Sequence, residues 1–204
     1  MRKILLLIAV PVFFFSCKSE KDESWYRDTL YARKIMNMEF ADPEYSPLPP
    51  GAVGSFKGLD FFPISKKYVV EARFEKNPDP EPVVLSTNTG RKPVYIKYGT
   101  VYFTLDGKDC SLVLYRDTEI SGDPEYSDVL FIPFTDLTTG QESYGGGRYL
   151  DIKIPGSDKV ILNFNKCYNP YCAYDDRWSC VIPPGENDLP VAVYAGVKAY
   201  GEGH

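Results

Sequence analysis

The stretch VYFTLDGKDCSLVL, residues 101–114, decides the fold class of this chain. Its first arm, Val101–Leu105, is apolar at every second position, which is the side-chain period of a strand with one buried face. Asp106-Gly107 follows, and this dipeptide favours the two-residue turn of a β-hairpin. The second arm, Cys110–Leu114, repeats the alternation on the way back. The stretch therefore predicts an antiparallel hairpin with one apolar face.

Short runs of the same kind lie on both sides of this hairpin. The other predicted strands are Tyr68–Phe74, Val83–Thr87, Pro93–Tyr98, Val129–Phe134, Arg148–Ile154, Lys159–Phe164 and Pro190–Ala199. The 17 Pro and 16 Gly of the chain favour many turns over long helices. Ser24–Phe40 contains neither residue, and we expect a short helix there. The sequence thus predicts a mainly β fold, an antiparallel sheet that forms a barrel or a sandwich, with a short N-terminal helix.

The N-terminus has the composition of a secretory signal. Arg2-Lys3 is a positive start, and Ile4–Phe15 is an apolar run that is too short to span a bilayer. Ser16-Cys17 then places a small residue before a cysteine, which resembles the lipobox of bacterial lipoproteins. The resemblance implies that residues 1–16 are a signal peptide and that Cys17 carries lipid, with fatty acids such as palmitate. Ordinary secretion with an unmodified Cys17 is the alternative.

Residues 17–23 are expected to be an acidic tether that leads to a single domain over residues 24–204. The tether resembles the surface-export signal of Bacteroidetes lipoproteins, and it equally fits a plain solvated linker. Cleavage removes Arg2 and Lys3, so the formal net charge changes from −5 to −7. A domain this acidic is a poor binder of nucleic acid or of anionic lipid. We therefore expect membrane contact through the lipid anchor, at the periplasmic or surface-exposed side of the outer membrane.

Three pieces of the C-terminal part carry a family resemblance. They are FIPFTDLTTGQESYGGGRYLDI from residue 131, NFNKCYNPYCAYDDRWSC from residue 163 and PPGENDLPVAVYAG from residue 183. They resemble DUF1684, a bacterial and archaeal family of unknown function whose members carry Tyr-Gly-Gly-Gly-Arg-Tyr-Leu-Asp, Asn-Pro-x-Cys-Ala-Tyr and Pro-Pro-x-Glu-Asn motifs. The resemblance covers most of the secreted chain, including GLDFF at residues 58–62, and implies no known activity.

The chain departs from the family pattern at four positions. Asn163 replaces a usual Asp, Cys167 a small residue, Val181 a proline and Val197 an acidic residue. If the acidic positions matter chemically in the family, this member is expected to have kept binding and lost activity.

Arg148 is the centre of the candidate site. It follows Gly145–Gly147, where missing Cβ atoms let the chain turn sharply or let a ligand approach, and it shares a strand face with Leu150. A buried arginine needs a carboxylate or carbonyl partner, so Arg148 either forms a structural ion pair, which we favour, or grips an anionic ligand. The candidate binding residues are Glu142, Tyr144, Arg148, Asp151, Asn165, Tyr174 and Glu186.

Four cysteines follow Cys17, namely Cys110, Cys167, Cys172 and Cys180. An exported protein can form disulfides, and four cysteines allow three complete pairings. Cys172 with Cys180 is the preferred pair because both belong to the family-like text. The paired spacing of a four-cysteine zinc site is missing, so we expect no metal, and we expect no other cofactor.

The single histidine, His204, is the last residue, which argues against catalytic triads and most zinc hydrolase sites. No phosphate-binding loop, dinucleotide fingerprint or nucleophile elbow occurs. We therefore predict a membrane-anchored lipoprotein that binds a small molecule, with an anion as the candidate ligand, or that serves as an envelope scaffold. One alternative is a carboxylate-based hydrolase in which Arg148 orients an anionic substrate and Asp151 or Glu186 is the acid or base. Another is a surface module whose tyrosines contact protein or glycan.

Overall fold

The computed structural model describes residues 21–201, with side chains from residue 23. The predicted signal peptide, the lipidation site Cys17 and His204 lie outside the described residues. The helices are α1 (Lys21–Ala41) and α2 (Pro50–Val53), and the strands are β1 (Val69–Lys76), β2 (Pro82–Val84), β3 (Val94–Leu105), β4 (Lys108–Asp117), β5 (Val129–Phe134), β6 (Arg148–Lys153) and β7 (Lys159–Asn163). The predicted mainly β fold with an N-terminal helix is confirmed.

The strands of the described chain form one antiparallel sheet in the order β6-β5-β4-β3-β1-β7, with β2 attached to the start of β3. β3 is the longest strand, and its pairing with β4 shifts in register between Lys97 and Gly99. This β-bulge bends β3, so that β2 and β1 pair with successive parts of its other edge. The sheet curls into a half-barrel whose edge strands are β6 and β7.

The hairpin predicted over residues 101–114 is confirmed as part of β3 and β4. Asp106 and Gly107 have φ angles of 52° and 72°, which both lie in the left-handed region that a type I′ turn requires. Leu105 pairs with Lys108 directly across this turn. The local turn chemistry thus sets the register of the two longest strands.

The inner face of the half-barrel carries the main apolar core. The alternate residues of β3 to β7 that point there are almost all buried, and those without exposed surface are Val101, Leu112, Leu114, Leu130, Ile132, Phe134 and Leu162. Each such side chain contributes about 1.5 to 3 kcal/mol through removal from water. This core is therefore the main source of the stability of the fold.

The outer face of the sheet is covered as well, by the chain between Tyr168 and Pro184. A second apolar cluster lies there, made of Leu85, Tyr95, Tyr115, Tyr149 and Val181. Bridges between Tyr149 and Tyr168 and between Thr87 and Val181 hold the covering chain in place. Because both faces of the sheet are covered, the interior strand β5 is apolar on both sides, as its sequence indicates.

The predicted strand at Pro190–Ala199 is wrong as an element of the sheet. Its small apolar residues do alternate into the core, and the buried members are Val191, Val193, Ala195 and Val197. The backbone at the centre of this segment bonds to side chains instead of to a strand: Arg148 donates to the carbonyls of Val193 and Ala195, and Asp136 accepts the N–H of Val193. Its two ends bond to the backbone of loops and of an isolated bridge. Apolar alternation predicts which side chains are buried but not the partners of the backbone. Here a buried ion pair supplies hydrogen bonds that a neighbouring strand would otherwise make.

α1 lies against the turn that follows β7. Thr29 is fully buried and accepts a hydrogen bond from the Asn163 side chain at 2.8 Å, and Arg33 donates to the Phe62 carbonyl at 3.0 Å. The helix begins at Lys21, so the last residues of the predicted tether are helical, since none of them is Gly or Pro to prevent it. No helix in residues 21–201 is long and apolar enough to cross a bilayer.

Candidate functional site

An open pocket of about 320 Å³ lies on the outer face of the sheet, beside the second apolar cluster. Phe131 of β5 with Tyr149 and Asp151 of β6 form its floor, and Tyr168 and Tyr171 form one wall. Its remaining walls include Arg91, Tyr95, Asp117, Tyr126, Ser179 and Cys180. We call this feature the aromatic pocket. Its size and lining are those of a site for a small organic molecule.

Asp151 supplies the carboxylate on the pocket floor. It points outward from β6, directly across from Phe131 of β5, and its Oδ2 accepts a hydrogen bond from the Tyr168 hydroxyl at 2.6 Å. Protein atoms crowd the carboxylate although it stays open to the pocket, and this desolvation raises its pKa to about 6 against the opposing effect of the Tyr168 hydroxyl. Such a group can bind a cation or exchange a proton near neutral pH.

The hydroxyls of three pocket tyrosines are all engaged. Tyr149 donates to the Val181 carbonyl at 2.5 Å, Tyr168 donates to Asp151, and Tyr95 is hydrogen-bonded to Asp117. Burial raises the pKa of each of these three hydroxyls, and the neighbouring carboxylates raise those of Tyr95 and Tyr168 further. The phenols therefore stay neutral, and their rings are held in fixed positions before any ligand arrives.

Arg148 lies on the inner face of the sheet, outside the aromatic pocket. Its guanidinium pairs with Asp136 at 2.7 Å, and neither side chain has exposed surface. It also donates to the Val193 carbonyl at 2.8 Å, to Thr138 Oγ1 at 3.4 Å and to the Ala195 carbonyl. Of the two roles that the sequence left open, the structure gives Arg148 the structural ion pair, and no face of it is open to an anionic ligand.

Two predicted binding residues belong to the turn before β6. Glu142 is exposed, and its carbonyl accepts the N–H of Ala199 at 3.0 Å. Tyr144 is half-buried, and its hydroxyl lies 3.8 Å from the Cys172 sulfur. Neither residue lines the aromatic pocket, so among the seven predicted binding residues only Asp151 does.

Two further predicted binding residues connect α1 and its neighbours to the sheet. Asn165 is fully buried, and its side chain exchanges two hydrogen bonds of 2.9 Å with the backbone of Ser65. Tyr174 packs edge-to-face on Phe40 at the end of α1, with ring centroids 4.6 Å apart. Both residues therefore serve the fold.

Glu186 lies outside the aromatic pocket, between two grooves near β2 and β3. Lys97 Nζ approaches its carboxylate to 2.8 Å, and the Tyr115 hydroxyl donates to it at 2.5 Å. Burial favours a higher pKa, but the hydrogen bonds from Lys97 and Tyr115 outweigh it and hold the pKa of Glu186 below its usual value. Glu186 thus stays ionised and is poorly suited to be the general acid of a hydrolase.

The comparison with protein families identifies the domain. A family model described as "Protein of unknown function (DUF1684)" matches residues 54–198. The chain belongs to the DUF1684 family. It is also similar to the uncharacterised protein of gene locus rrnAC0354 of Haloarcula marismortui, whose structure was solved by NMR in solution. The two are 37% identical, with a TM-score of 0.70 over 88% of this chain and 96% of that chain. No curated protein matches this chain.

The motifs of this DUF1684 domain serve both the scaffold and the pocket. In the first motif Gly147 has a φ of +82°, and an added Cβ would lie 2.7 Å from the Phe134 carbonyl and from the Pro183 ring. This glycine lets the Pro-Pro-x-Glu-Asn loop pack closely on the ends of β5 and β6. The same motif supplies Tyr149 and Asp151 to the aromatic pocket.

Cys172 and Cys180 lie side by side as free thiols, and the predicted disulfide between them stays a prediction. The Cys172 N–H points at the Cys180 sulfur at 3.2 Å. A hydrogen bond between the two thiols lowers the pKa of Cys172 to about 7, although burial opposes this, and raises the pKa of Cys180. Cys110 and Cys167 are buried, and burial raises the pKa of each.

No group of three or more histidine, cysteine, aspartate or glutamate side chains within the described ranges could hold a metal ion.

Sequence analysis identified Asp151 but missed most of the rings around it. Tyr95 and Phe131 occupy outward positions of predicted strands, and a strand that is apolar on both faces already indicates a covered outer face. The pattern did not show which segment covers that face. That segment, Tyr168–Pro184, pairs with residues distant along the chain, such as Thr87 and Asn88.

Proposed function

We propose that this protein is an envelope lipoprotein whose DUF1684 domain binds a small molecule in the aromatic pocket. The observation that carries the proposal is the pocket itself, about 320 Å³ of open space over fixed rings and one carboxylate. Binding sites for small molecules are typically concave and apolar, with a few polar groups that orient the ligand. An envelope scaffold, or a surface that contacts protein or glycan, would need no such pocket.

The proposed anchor at Cys17 would hold this pocket close to a membrane. Support comes from the n-region, the apolar run and the small residue before Cys17. α1 begins at Lys21, and the intervening chain spans at most about 14 Å even when extended. An anchored domain would therefore meet its ligand at the membrane surface.

A panel of cationic, neutral and anionic fragments tests the binding function by ligand-observed NMR on the full chain in an uncharged detergent. The blocking variant is Ser179→Trp, which places an indole at the pocket wall. Its matched control is Ser157→Trp, at an exposed turn that does not line the pocket. We expect at least one class of fragment to bind the parent chain and the control but not Ser179→Trp. Absence of binding by all three classes, or binding that Ser179→Trp leaves unchanged, would overturn the proposal.

A hydrolase remains the second candidate, and one observation favours it. Asp151, with its pKa raised to about 6 and the Tyr168 hydroxyl at 2.6 Å, could transfer a proton near neutral pH. In this version Arg148 has no part, because it is buried against Asp136. Turnover of a substrate that disappears in Asp151→Asn while binding persists would favour the enzyme over the binding protein.

A further inference from the structure

We propose that the ligand of the aromatic pocket is a small organic cation, an alkylated ammonium group held between the Asp151 carboxylate and the surrounding rings. This inference rests on the proposed binding function and specifies its ligand class. It departs from the anionic ligand expected from the sequence, because that expectation depended on Arg148, which lies on the other face of the sheet.

The first observation is that Asp151 lacks a cationic partner. Among the described residues no lysine or arginine nitrogen lies within 4.0 Å of its carboxylate. By contrast, the fully buried carboxylate of Asp136 is paired with Arg148. Asp151 is exposed at the outer face of the sheet, so a ligand can reach its carboxylate, and a bound cation would supply the missing counter-charge.

The second observation is the arrangement of rings next to this carboxylate. Phe131 is the direct cross-strand neighbour of Asp151, and its ring contacts that of Tyr149 edge-to-face with centroids 4.7 Å apart. Tyr149 in turn contacts the ring of Tyr168 at 5.8 Å, and Tyr168 is bonded to Asp151. The negative faces of aromatic rings attract a cation, and more strongly when the cation has left water.

The third observation concerns the remaining charges of the pocket. Arg91 is the basic residue of its lining, and its guanidinium already contacts Glu119 at 3.5 Å and Ser179 Oγ at 3.2 Å. Asp117 accepts the Glu119 N–H at 2.8 Å and is bonded to Tyr95. The two carboxylates outweigh the one guanidinium, so the field in the pocket favours a cation over an anion.

Calorimetric titration of the full chain with choline tests the inference, with choline's uncharged carbon isostere, in which tert-butyl replaces trimethylammonium, as the matched probe. The two probes have nearly the same shape, so a difference in affinity reports the charge. We expect choline to bind about tenfold more tightly or better. Asp151→Asn should remove this preference and leave the weak binding of the isostere unchanged. Asp128→Asn, which alters an exposed carboxylate paired with Lys153, should change neither.

The outcomes separate this inference from the function on which it rests. Equal or tighter binding of the isostere overturns the cation as the ligand class. A choline preference that survives in Asp151→Asn overturns the proposed role of Asp151. Both results leave the small-molecule pocket intact. Choline could also fail to bind while neutral or anionic fragments bind the parent chain and Ser179→Trp blocks them. That result likewise overturns the cation and leaves the small-molecule pocket intact. If no probe or fragment binds at all, both proposals fail together.

Discussion

The buried pair of Arg148 and Asp136 connects three separate parts of the chain. Asp136 accepts from Thr138 at 2.7 Å and from the Val193 backbone at 3.2 Å, while Arg148 donates to the carbonyls of Val193 and Ala195. Removing charges from water is costly, so the pair contributes little net stability beyond what apolar residues of similar shape would give. Its role is to hold the centre of the segment of residues 190–199 against the sheet, since the ends of this segment bond to loop backbone.

Arg148→Ala should be strongly destabilising. It leaves the Asp136 carboxylate buried without a counter-charge and removes one donor each from the carbonyls of Val193 and Ala195, and we expect the free energy of unfolding in urea to fall by about 3 to 5 kcal/mol. Lys153→Ala is the matched control, because it breaks an exposed ion pair with Asp128, and it should cost less than about 1 kcal/mol. Equal small losses in both variants would show that the buried pair does not hold the segment.

Asp151 should lower the stability of the ligand-free protein as pH rises. The pKa of Asp151 is raised from 3.8 to about 6, so the folded state holds this proton more tightly than the unfolded state does. The stability that the protonated Asp151 contributes is complete below about pH 4 and is lost as the pH rises through 6. The ionisable groups that share the pocket are Tyr95, Tyr126, Tyr149, Tyr168, Tyr171, Cys180, Arg91 and Asp117.

Thermal unfolding of Asp151→Asn and of the parent chain at pH 4 and pH 7.5 measures this effect. The melting temperature of the variant minus that of the parent should be larger at pH 7.5 than at pH 4. Such a gain is the behaviour of a carboxylate retained for binding rather than for folding. A variant that loses stability at pH 7.5 would contradict this role.

At the scale of elements, the segment around Asn187 joins β4 and β5 where these strands separate. The two strands share a single registered pair, Tyr115 with Phe131. Beyond it the Asn187 side chain accepts the Val113 N–H at 2.7 Å and donates to the carbonyls of Val113 and Pro133 at 3.0 and 2.7 Å. An amide side chain thus replaces the missing ladder of hydrogen bonds.

Asn187→Ala should therefore open this junction. Each buried backbone group left without a partner costs about 1 to 3 kcal/mol, so we expect the free energy of unfolding to fall by about 3 kcal/mol or more. Asn77→Ala removes a partly exposed amide that bonds Lys97 and should cost about 1 kcal/mol. Hydrogen exchange at Val113 measures the local effect, and unchanged protection of its amide in Asn187→Ala would contradict the account.

The pair of Cys172 and Cys180 tests the predicted disulfide. A bridge would close a short loop on the wall of the aromatic pocket and stabilise the fold by about 2.5 kcal/mol through the unfolded state. We expect the exported protein to be lighter by two hydrogens than its reduced form and to unfold at lower temperature after reduction. In Cys172→Ser both differences should vanish. An exported chain with four free thiols would exclude the bridge.

The sequence predicted the strands and turns of this fold better than it predicted the long-range contacts between them. The alternation and the Asp106-Gly107 turn predicted the central hairpin because both signals are local. The alternation at Pro190–Ala199 predicted burial correctly but not a strand, because its backbone partners, Asp136 and Arg148, are distant in sequence. Asp151 was a predicted binding residue, whereas its aromatic surroundings depend on a covering segment that no local pattern positions.

At the scale of the whole molecule, the proposed location at a membrane rests on Cys17. Under this proposal Cys17→Ser should release the chain from membranes into the soluble fraction, because a domain of net negative charge is a poor binder of anionic lipid. Fractionation followed by immunoblotting measures this, with Cys110→Ser as the control that keeps the anchor. Membrane association that persists in Cys17→Ser would exclude a lipid anchor on this cysteine.

The central claim is that the aromatic pocket holds a ligand, and chemical-shift mapping of the full chain during titration with choline tests it most directly. We predict saturable shifts at the backbone amides of Phe131, Asp151 and Tyr168, and none around Arg148 or around the Lys97–Glu186 pair. Shifts that centre on either of those places, or no saturable shift at the pocket with choline or any fragment of the panel, would contradict the claim.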